Sequence, residues 1–209
     1  MTTLHARLYD AALAATEAGG LRAWRSELLA PIQGEVIEIG PGTGANLPLY
    51  PSDGPTQLTL CEPSGSMRVQ LTVRLSELAL PFPTRLRADP AGALADPDGS
   101  YDAAVCTLVL CTVPDPAAVL AELWRVLRPG GRLYFIEHVA ASSGFWRVGQ
   151  RLIEPVWRPL AGGCRLTRQA LPAIEAAGFT LESVESAPLP RAPGFVRPSV
   201  RGVAIRGEG

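Results

Sequence analysis

Residues 35–50 read EVIEIGPGTGANLPLY, an apolar run that breaks into glycines at alternating positions, Gly40, Gly42 and Gly44. A buried strand turning through glycines toward a helix brings backbone close to an adenine-containing cofactor. Gly40, Gly42 and Ala45 satisfy the G-x-G-x-x-G/A spacing of dinucleotide folds, a weak match taken alone. The charges around the loop discriminate further. Glu38 lies two residues before Gly40, near the place a pyrophosphate would occupy. Like charges at close range cost on the order of a few kcal/mol. No arginine lies between Gly40 and Arg68 to offset it.

S-adenosylmethionine reverses that sign, because its sulfonium and its amino group are cationic. Glu62 closes the next apolar run, 18 residues beyond Gly44, where an acid can accept from both ribose hydroxyls of either cofactor. A helix-start carboxylate ahead of Ser64, favoured by the helix dipole, fits the same residue.

Around this stretch the chain alternates strands and helices. Residues 4–18 and 21–30 have helical spacing, separated by Gly19-Gly20 and ended by Pro31. TQLTLCE (56–62) is a second strand, and 63–78 is a helix with Ser64 as its N-cap signal and Met67, Leu71 and Leu75 every four residues. TRLRA (84–88) is a third strand and YDAAVCTLVL (101–110) a fourth. Residues 113–131 are a helix started by Asp115-Pro116 and stopped by Pro129-Gly130-Gly131, and RLYFIEHV (132–139) is a fifth strand. This alternation means a parallel α/β sheet. After 140–165 come one helix closed by Gly178 and two strands with no helix between them, which should be antiparallel neighbours.

Composition sets the outer limits. A chain of 209 residues, 47% hydrophobic and 19% charged, suits one domain with a substantial core. A net charge of −1 gives no basic field for nucleic acid, so no nucleic-acid partner is expected. All 19 basic residues are arginine, which rules out lysine chemistry. The four cysteines show no CxxC pair and no metal-ligand spacing, so no metal is expected and a reducing compartment is the default. No run approaches the ~18 apolar residues of a membrane span, and the first 20 residues lack the pattern of a signal peptide. A cytoplasmic location is expected.

EIGPGTG, CEPS with its acid, DGSYDAAVCTLVL and LWRVLRPGGRLYFIEHV together resemble the ordered motifs of class I S-adenosylmethionine-dependent methyltransferases. The resemblance runs from about residue 7 to the end of the chain. It implies a Rossmann-like α/β fold with a seven-stranded, mostly parallel sheet, the last strand antiparallel, and helices on both faces. One domain is expected over 1–209, with 1–31 as an N-terminal helical cap and 140–165 as a lid-like insertion. Carried over residue by residue, Glu38 and the Gly40, Pro41, Gly42 and Gly44 backbone face the methionine portion of S-adenosylmethionine, with Asn46 beside them. Glu62 takes the ribose hydroxyls, and Pro63 and Met67 lie near the adenine edge. Cys106, Thr107 and Leu108 line the reacting face. Many relatives place an acid twelve residues before the fourth-strand Asp; here that position is Pro90, with Asp89 as the neighbouring candidate.

A narrower likeness concerns the methyl acceptor. CTLVLCTV, RVLRPGG, EHV, EPVW and GCRLTR resemble the methyltransferase-like seven alkyl-thiol methyltransferases, and the chain is also similar to bacterial type 11 methyltransferases. GTGANLPLYP resembles bacterial phospholipid N-methyltransferases. A small-molecule acceptor is therefore expected, with a thiol sulfur first and a phospholipid amine or a quinone or phenol as alternatives. A non-catalytic binder of S-adenosylmethionine is the competing class. The apolar N-terminal anchor of the animal thiol enzymes has no counterpart, so no membrane span is expected, while peripheral membrane contact stays open. His138, with Glu137 beside it, is the candidate general base; a histidine hydrogen-bonded for structure fits equally. Residues 142–164 place Val148, Leu152 and Val156 on one helical stripe, with Pro155 and Pro159 expected to break or kink the helix. A pocket wall, a membrane-surface face and core packing all fit that stripe. Cys111, Trp146, Trp157 and Cys164 are the candidate substrate-pocket residues.

Overall fold

The computed structural model describes residues 10, 11 and 13–208; the first part of the helix expected over 4–18 lies outside them. A π-type turn over Glu17–Leu21, kinked at Gly20, leads into α1 (Arg22–Leu29). Then follow β1 (Gly34–Ile39), β2 (Pro55–Cys61), α2 (Gly65–Glu77), β3 (Thr84–Arg87), β4 (Tyr101–Thr107) and α3 (Pro116–Val126). The chain continues with β5 (Leu127–His138), α4 (Gly144–Leu160), α5 (Ala170–Ala176), β6 (Phe179–Pro188) and β7 (Pro198–Arg206).

The seven strands form one sheet in the order β3-β2-β1-β4-β5-β7-β6. The β3-β2-β1-β4-β5 pairings are parallel, and β7 is antiparallel to both β5 and β6. Side chains alternate across the strands, so each face has its own core. Ile37, Ile39 and Cys106 pack with Leu120 and Leu123 of α3 on one face. Val36, Leu58 and Leu60 pack with Leu29 of α1 and Leu71 of α2 on the other. The strand order reverses between β1 and β4, and in open α/β sheets the crevice beyond the strand ends at such a point receives ligands.

Several features differ from the sequence expectation. β4 ends at Thr107 because Leu108 adopts φ +60°, which no strand residue can continue. α3 ends at Val126 rather than at 131, since Leu127 is already extended and paired with Tyr101. α4 runs unbroken through Pro155 and Pro159. Both prolines are exposed, where water can take up the two backbone bonds they remove.

Candidate functional site

The glycine loop leaves β1 and is tied down from β2. Gly40 N–H donates to the Cys61 carbonyl at 2.9 Å. Its φ is +60°, and a Cβ there would come within 2.9 Å of Val109 Cγ2, so only glycine fits. Gly42, at φ +59°, donates its N–H to Glu62 Oε2 at 3.0 Å. The other oxygen of Glu62 accepts from Ser64 N–H at 2.8 Å. Glu62 is thus the helix-start carboxylate of α2 and the anchor of the glycine loop at once. Ser64 is the N-cap residue, but its side chain makes no capping bond. Burial pushes the Glu62 carboxyl above its ordinary range, against the pull of the two N–H groups.

Behind the loop lies a buried polar network. Glu38, 1% exposed, accepts from Asn46 Nδ2 and from the Tyr50 hydroxyl, both at 2.8 Å. Arg25 of α1 donates from Nη1 to Asn46 Oδ1 at 2.9 Å and to Thr107 Oγ1 at 2.7 Å, and from Nε to Glu17 at 3.0 Å. Burial pushes Glu38 up, opposed by Tyr50, Asn46 and the Arg25 charge. The local sequence shows no cation beside Glu38, but the fold supplies one. The charge argument against a pyrophosphate is corrected accordingly: an arginine does stand near the loop, engaged by Asn46, Thr107 and Glu17. Leu21, Arg25 and Leu29 share one buried helical stripe. A charged residue on the core-facing side of an amphipathic helix was the readable signal.

Two cavities open here. The first, about 270 Å³, is lined by Gly40, Gly42, Glu62, Pro63, Met67, Thr107 and Leu108, with Val109, Val113 and Ala161 as an apolar wall. The second, about 240 Å³, lies between Gly40–Thr43 and the N-terminal helices, where Glu17, Arg22 and Arg25 face it. Gly40, Gly42 and Thr107 border both. A Cβ on Gly42 would meet nothing within 4 Å, so that glycine leaves cavity volume free that any other residue would fill. Of the other candidates, Pro41 borders the second cavity. Gly44 packs under Leu47 and Leu71, and Cys106 is buried in the sheet core. Asp89 is engaged with Arg87. Trp146 lies against Gly194 and lines a separate depression by Ser142 and Ser199.

Residues 37–135 match the family model described as "Methyltransferase domain". Human thiol S-methyltransferase TMT1A is 37% identical over 173 residues, which span 82% of this chain and 70% of that protein. The chain belongs to the class I S-adenosylmethionine-dependent methyltransferases. Solved structures share the fold. The [4+2]-cyclase SpnF superposes with a TM-score of 0.74 at 22% identity, covering 92% of this chain and 82% of that one. Geranyl diphosphate methyltransferase in complex with S-adenosylmethionine gives 0.70 at 16% identity, covering 90% and 85%. A cyclase on this fold illustrates that the fold alone does not name the reaction.

In this methyltransferase the loop after β4 is held by a residue that the sequence presents only as a neighbour of His138. Glu137, fully buried, accepts from the N–H groups of Val109 and Leu110 at 2.9 Å and of Cys111 at 3.0 Å. These bonds stabilise a loop that begins with Leu108 in a left-handed conformation, rare for such a residue. Burial pushes the Glu137 carboxyl up to about 7, with the three N–H groups opposing. A carboxylate inside the apolar run LYFIEHV signals such a set of donors, because an unpaired buried charge would be too costly.

His138 is 1% exposed and does not line the first cavity. Its Nδ1 lies 4.0 Å from Cys164 Sγ, and its Nε2 has no partner among the described residues. Cys111 and Cys164, distant in sequence, pack together with Leu166, Trp157 and Phe195. Arg165 N–H donates to the Cys111 carbonyl at 2.8 Å, tying the end of the α4 segment to the loop. Contact with the Cys111 thiol, aided by His138, pulls Cys164 down, and the same contact together with burial pushes Cys111 up. Among the described residues no cluster of three or more His, Cys, Asp or Glu could hold a metal ion.

Proposed function

We propose that this methyltransferase moves a methyl group from S-adenosylmethionine to the sulfur of a small, lipophilic thiol. The observation that carries this is the chemistry of the first cavity: among the described residues its lining contains one titratable side chain, Glu62, already committed to two backbone N–H groups. Among the described residues no side chain lining it is free to deprotonate an acceptor, which favours an acceptor that ionises by itself. With a pKa near ~8.5 a thiol is a few per cent thiolate at pH 7, whereas the reactive fractions of an amine near ~10.4 or a phenol near ~10 are roughly 30 to 80 times smaller. The likeness to human thiol S-methyltransferases supports the same acceptor.

When bound, S-adenosylmethionine supplies an electrophilic methyl group on a cationic sulfur. Glu62 would accept from the ribose hydroxyls with the lone pairs its backbone donors leave free, and Pro63 and Met67 would flank the adenine. The space left at Gly42 would admit the chain beyond the ribose. Glu17 and Arg22 would face the ammonium and carboxylate of the amino-acid end, while Arg25, Asn46 and Glu38 hold that region in place. Thr107 and Leu108 would wall the reacting face, so that the acceptor meets it in line and away from water. Glu137 positions the Leu108 loop. His138 and Cys164 are placed to brace it rather than to act as a base. The described part of residues 1–31 would act as a cap over the amino-acid end, and 140–165 as a lid whose Ala161 and Gly162 reach the first cavity.

The test is a matched set of alkyl acceptors ending in thiol, amine or hydroxyl, plus a phenol, with S-adenosylhomocysteine release as the readout. The thiol should be turned over at least about tenfold faster near neutral pH. Faster turnover of the amine or the phenol would reverse the assignment, and turnover of none would leave only a binder.

A further inference from the structure

We propose that α4 docks this methyltransferase on the surface of an anionic lipid bilayer. The helix, GFWRVGQRLIEPVWRPL, has two apolar faces. One is spent on the protein: Ile153 and Trp157 pack against the cluster around Leu166 and Phe195, and buried Gln150 bonds the Ala141 N–H and the Phe195 carbonyl. The other points outward. Phe145 is 81% exposed, Leu152 76%, Leu160 70%, Val156 64% and Val148 55%. These five fall at intervals of three or four residues, and core packing does not account for them. Among the described residues nothing covers this stripe.

The charges select the occupant. At about 100° per residue, Arg147, Arg151 and Arg158 occupy a single sector roughly 40° wide, beside the outward stripe. All three are exposed and none forms an ion pair among the described residues. The helix's one carboxylate, Glu154, is turned inward to the backbone N–H and hydroxyl of Thr167. An apolar stripe with arginines along one edge and no exposed acid on the helix suits the headgroup boundary of an anionic leaflet, with guanidinium groups reaching phosphates as the side chains sink. Ala161 and Gly162, directly after the helix, line the first cavity. Docking would therefore bring its rim toward the lipid, from which a lipophilic acceptor could partition; that last step rests on the proposed acceptor, whereas the docking does not.

The test is flotation of the full chain with phosphatidylcholine vesicles, with and without a phosphatidylglycerol fraction, over a salt series. The chain should float with the anionic vesicles and release as salt rises. Leu152→Glu with Val156→Glu should lower partitioning at least about tenfold for each side chain. Replacing Arg147, Arg151 and Arg158 by Gln should weaken anionic binding about fivefold per charge and flatten its salt dependence. If the double variant does not fold, as judged by circular dichroism, Phe145→Asp in the first turn provides the same comparison. Unchanged flotation in these variants would overturn the proposal. So would a wild-type chain that ignores vesicles but forms a dimer, by light scattering, that the variants dissolve. Neither readout depends on turnover.

Discussion

Replacing Arg25 by Met tests whether the N-terminal helix belongs to the site. Methionine keeps most of the apolar stem and removes the guanidinium, which is 4% exposed and donates to Asn46, Thr107 and Glu17 at 2.7–3.0 Å. The buried Asn46 oxygen then loses a charged donor, a cost of about 1–3 kcal/mol. The bond to Glu17, between two charged groups, is worth a further ~1.5–3 kcal/mol. Glu38 also loses the Arg25 charge that opposes its desolvation. Breaking a buried ion pair from one side costs about 3–5 kcal/mol in general, in agreement with that sum. For a chain of this size each kcal/mol is worth about 2–4 °C in Tm, so scanning calorimetry should show a fall of roughly 6–20 °C. S-adenosylmethionine affinity, measured by isothermal titration, should fall with it, because Thr107, which Arg25 and Asn46 hold, borders both cavities. Arg22→Met is the control: Arg22 is exposed, so Tm should stay within about 1–2 °C while affinity drops. A Tm change under about 2 °C for Arg25→Met, with unchanged affinity, would mean that the network does not form in solution.

Three further outcomes are expected. Glu62→Ala should weaken S-adenosylmethionine binding by at least about tenfold, since each charge-assisted bond is worth ~1.5–3 kcal/mol, and should lower Tm as Gly42 and Ser64 lose their acceptor; unchanged affinity would leave Glu62 a purely structural anchor. In a Cys164→Ser background, which removes a thiol whose lowered pKa acts in the opposite direction, stability should fall as pH rises from about 4.5 to 7 and then level off. In that window buried Glu137, raised to about 7, stays protonated in the fold while its unfolded counterpart has ionised, so the native state binds more protons and alkali favours unfolding. Glu38 and Glu62 are raised too and act in the same direction. Denaturant midpoints across that range check the sign, and a midpoint that rises with pH would refute it. Finally, kcat/KM measured with two thiols of different acidity should show an inflection that moves with the thiol and is the same in His138→Gln. An inflection fixed for all thiols and lost in that variant would restore His138 as the base.

Much of this was legible in the sequence because glycine and proline punctuate it and apolar runs of strand or helix period lie between them. β1, the glycine loop and Glu62 lie within thirty residues of one another, and their geometry follows from local turn chemistry and one strand pairing. What the sequence did not show depends on contacts between distant segments. Arg25 meets Thr107 across 82 positions, and Cys111, His138 and Cys164 converge from three separate loops and strand ends. The outer stripe of α4 was visible as a periodicity, but a helix of period 3.6 looks the same whether its apolar face meets the core or the exterior. Only the packing of Gln150, Ile153 and Trp157 on the opposite side decides that. Likewise Pro155 and Pro159 read as breakers until their exposure shows where the lost backbone bonds can be satisfied.

The most direct measurement is to supply S-adenosylmethionine with a trideuterated methyl group and a long-chain alkanethiol, and to follow both products by mass spectrometry. Expected is a thioether carrying the intact labelled methyl on sulfur, formed one-for-one with S-adenosylhomocysteine and lost in Gly42→Val, whose side chain would fill the space beside Glu62. No labelled thioether while S-adenosylmethionine binds, or label delivered only to amine or phenol acceptors, would contradict it.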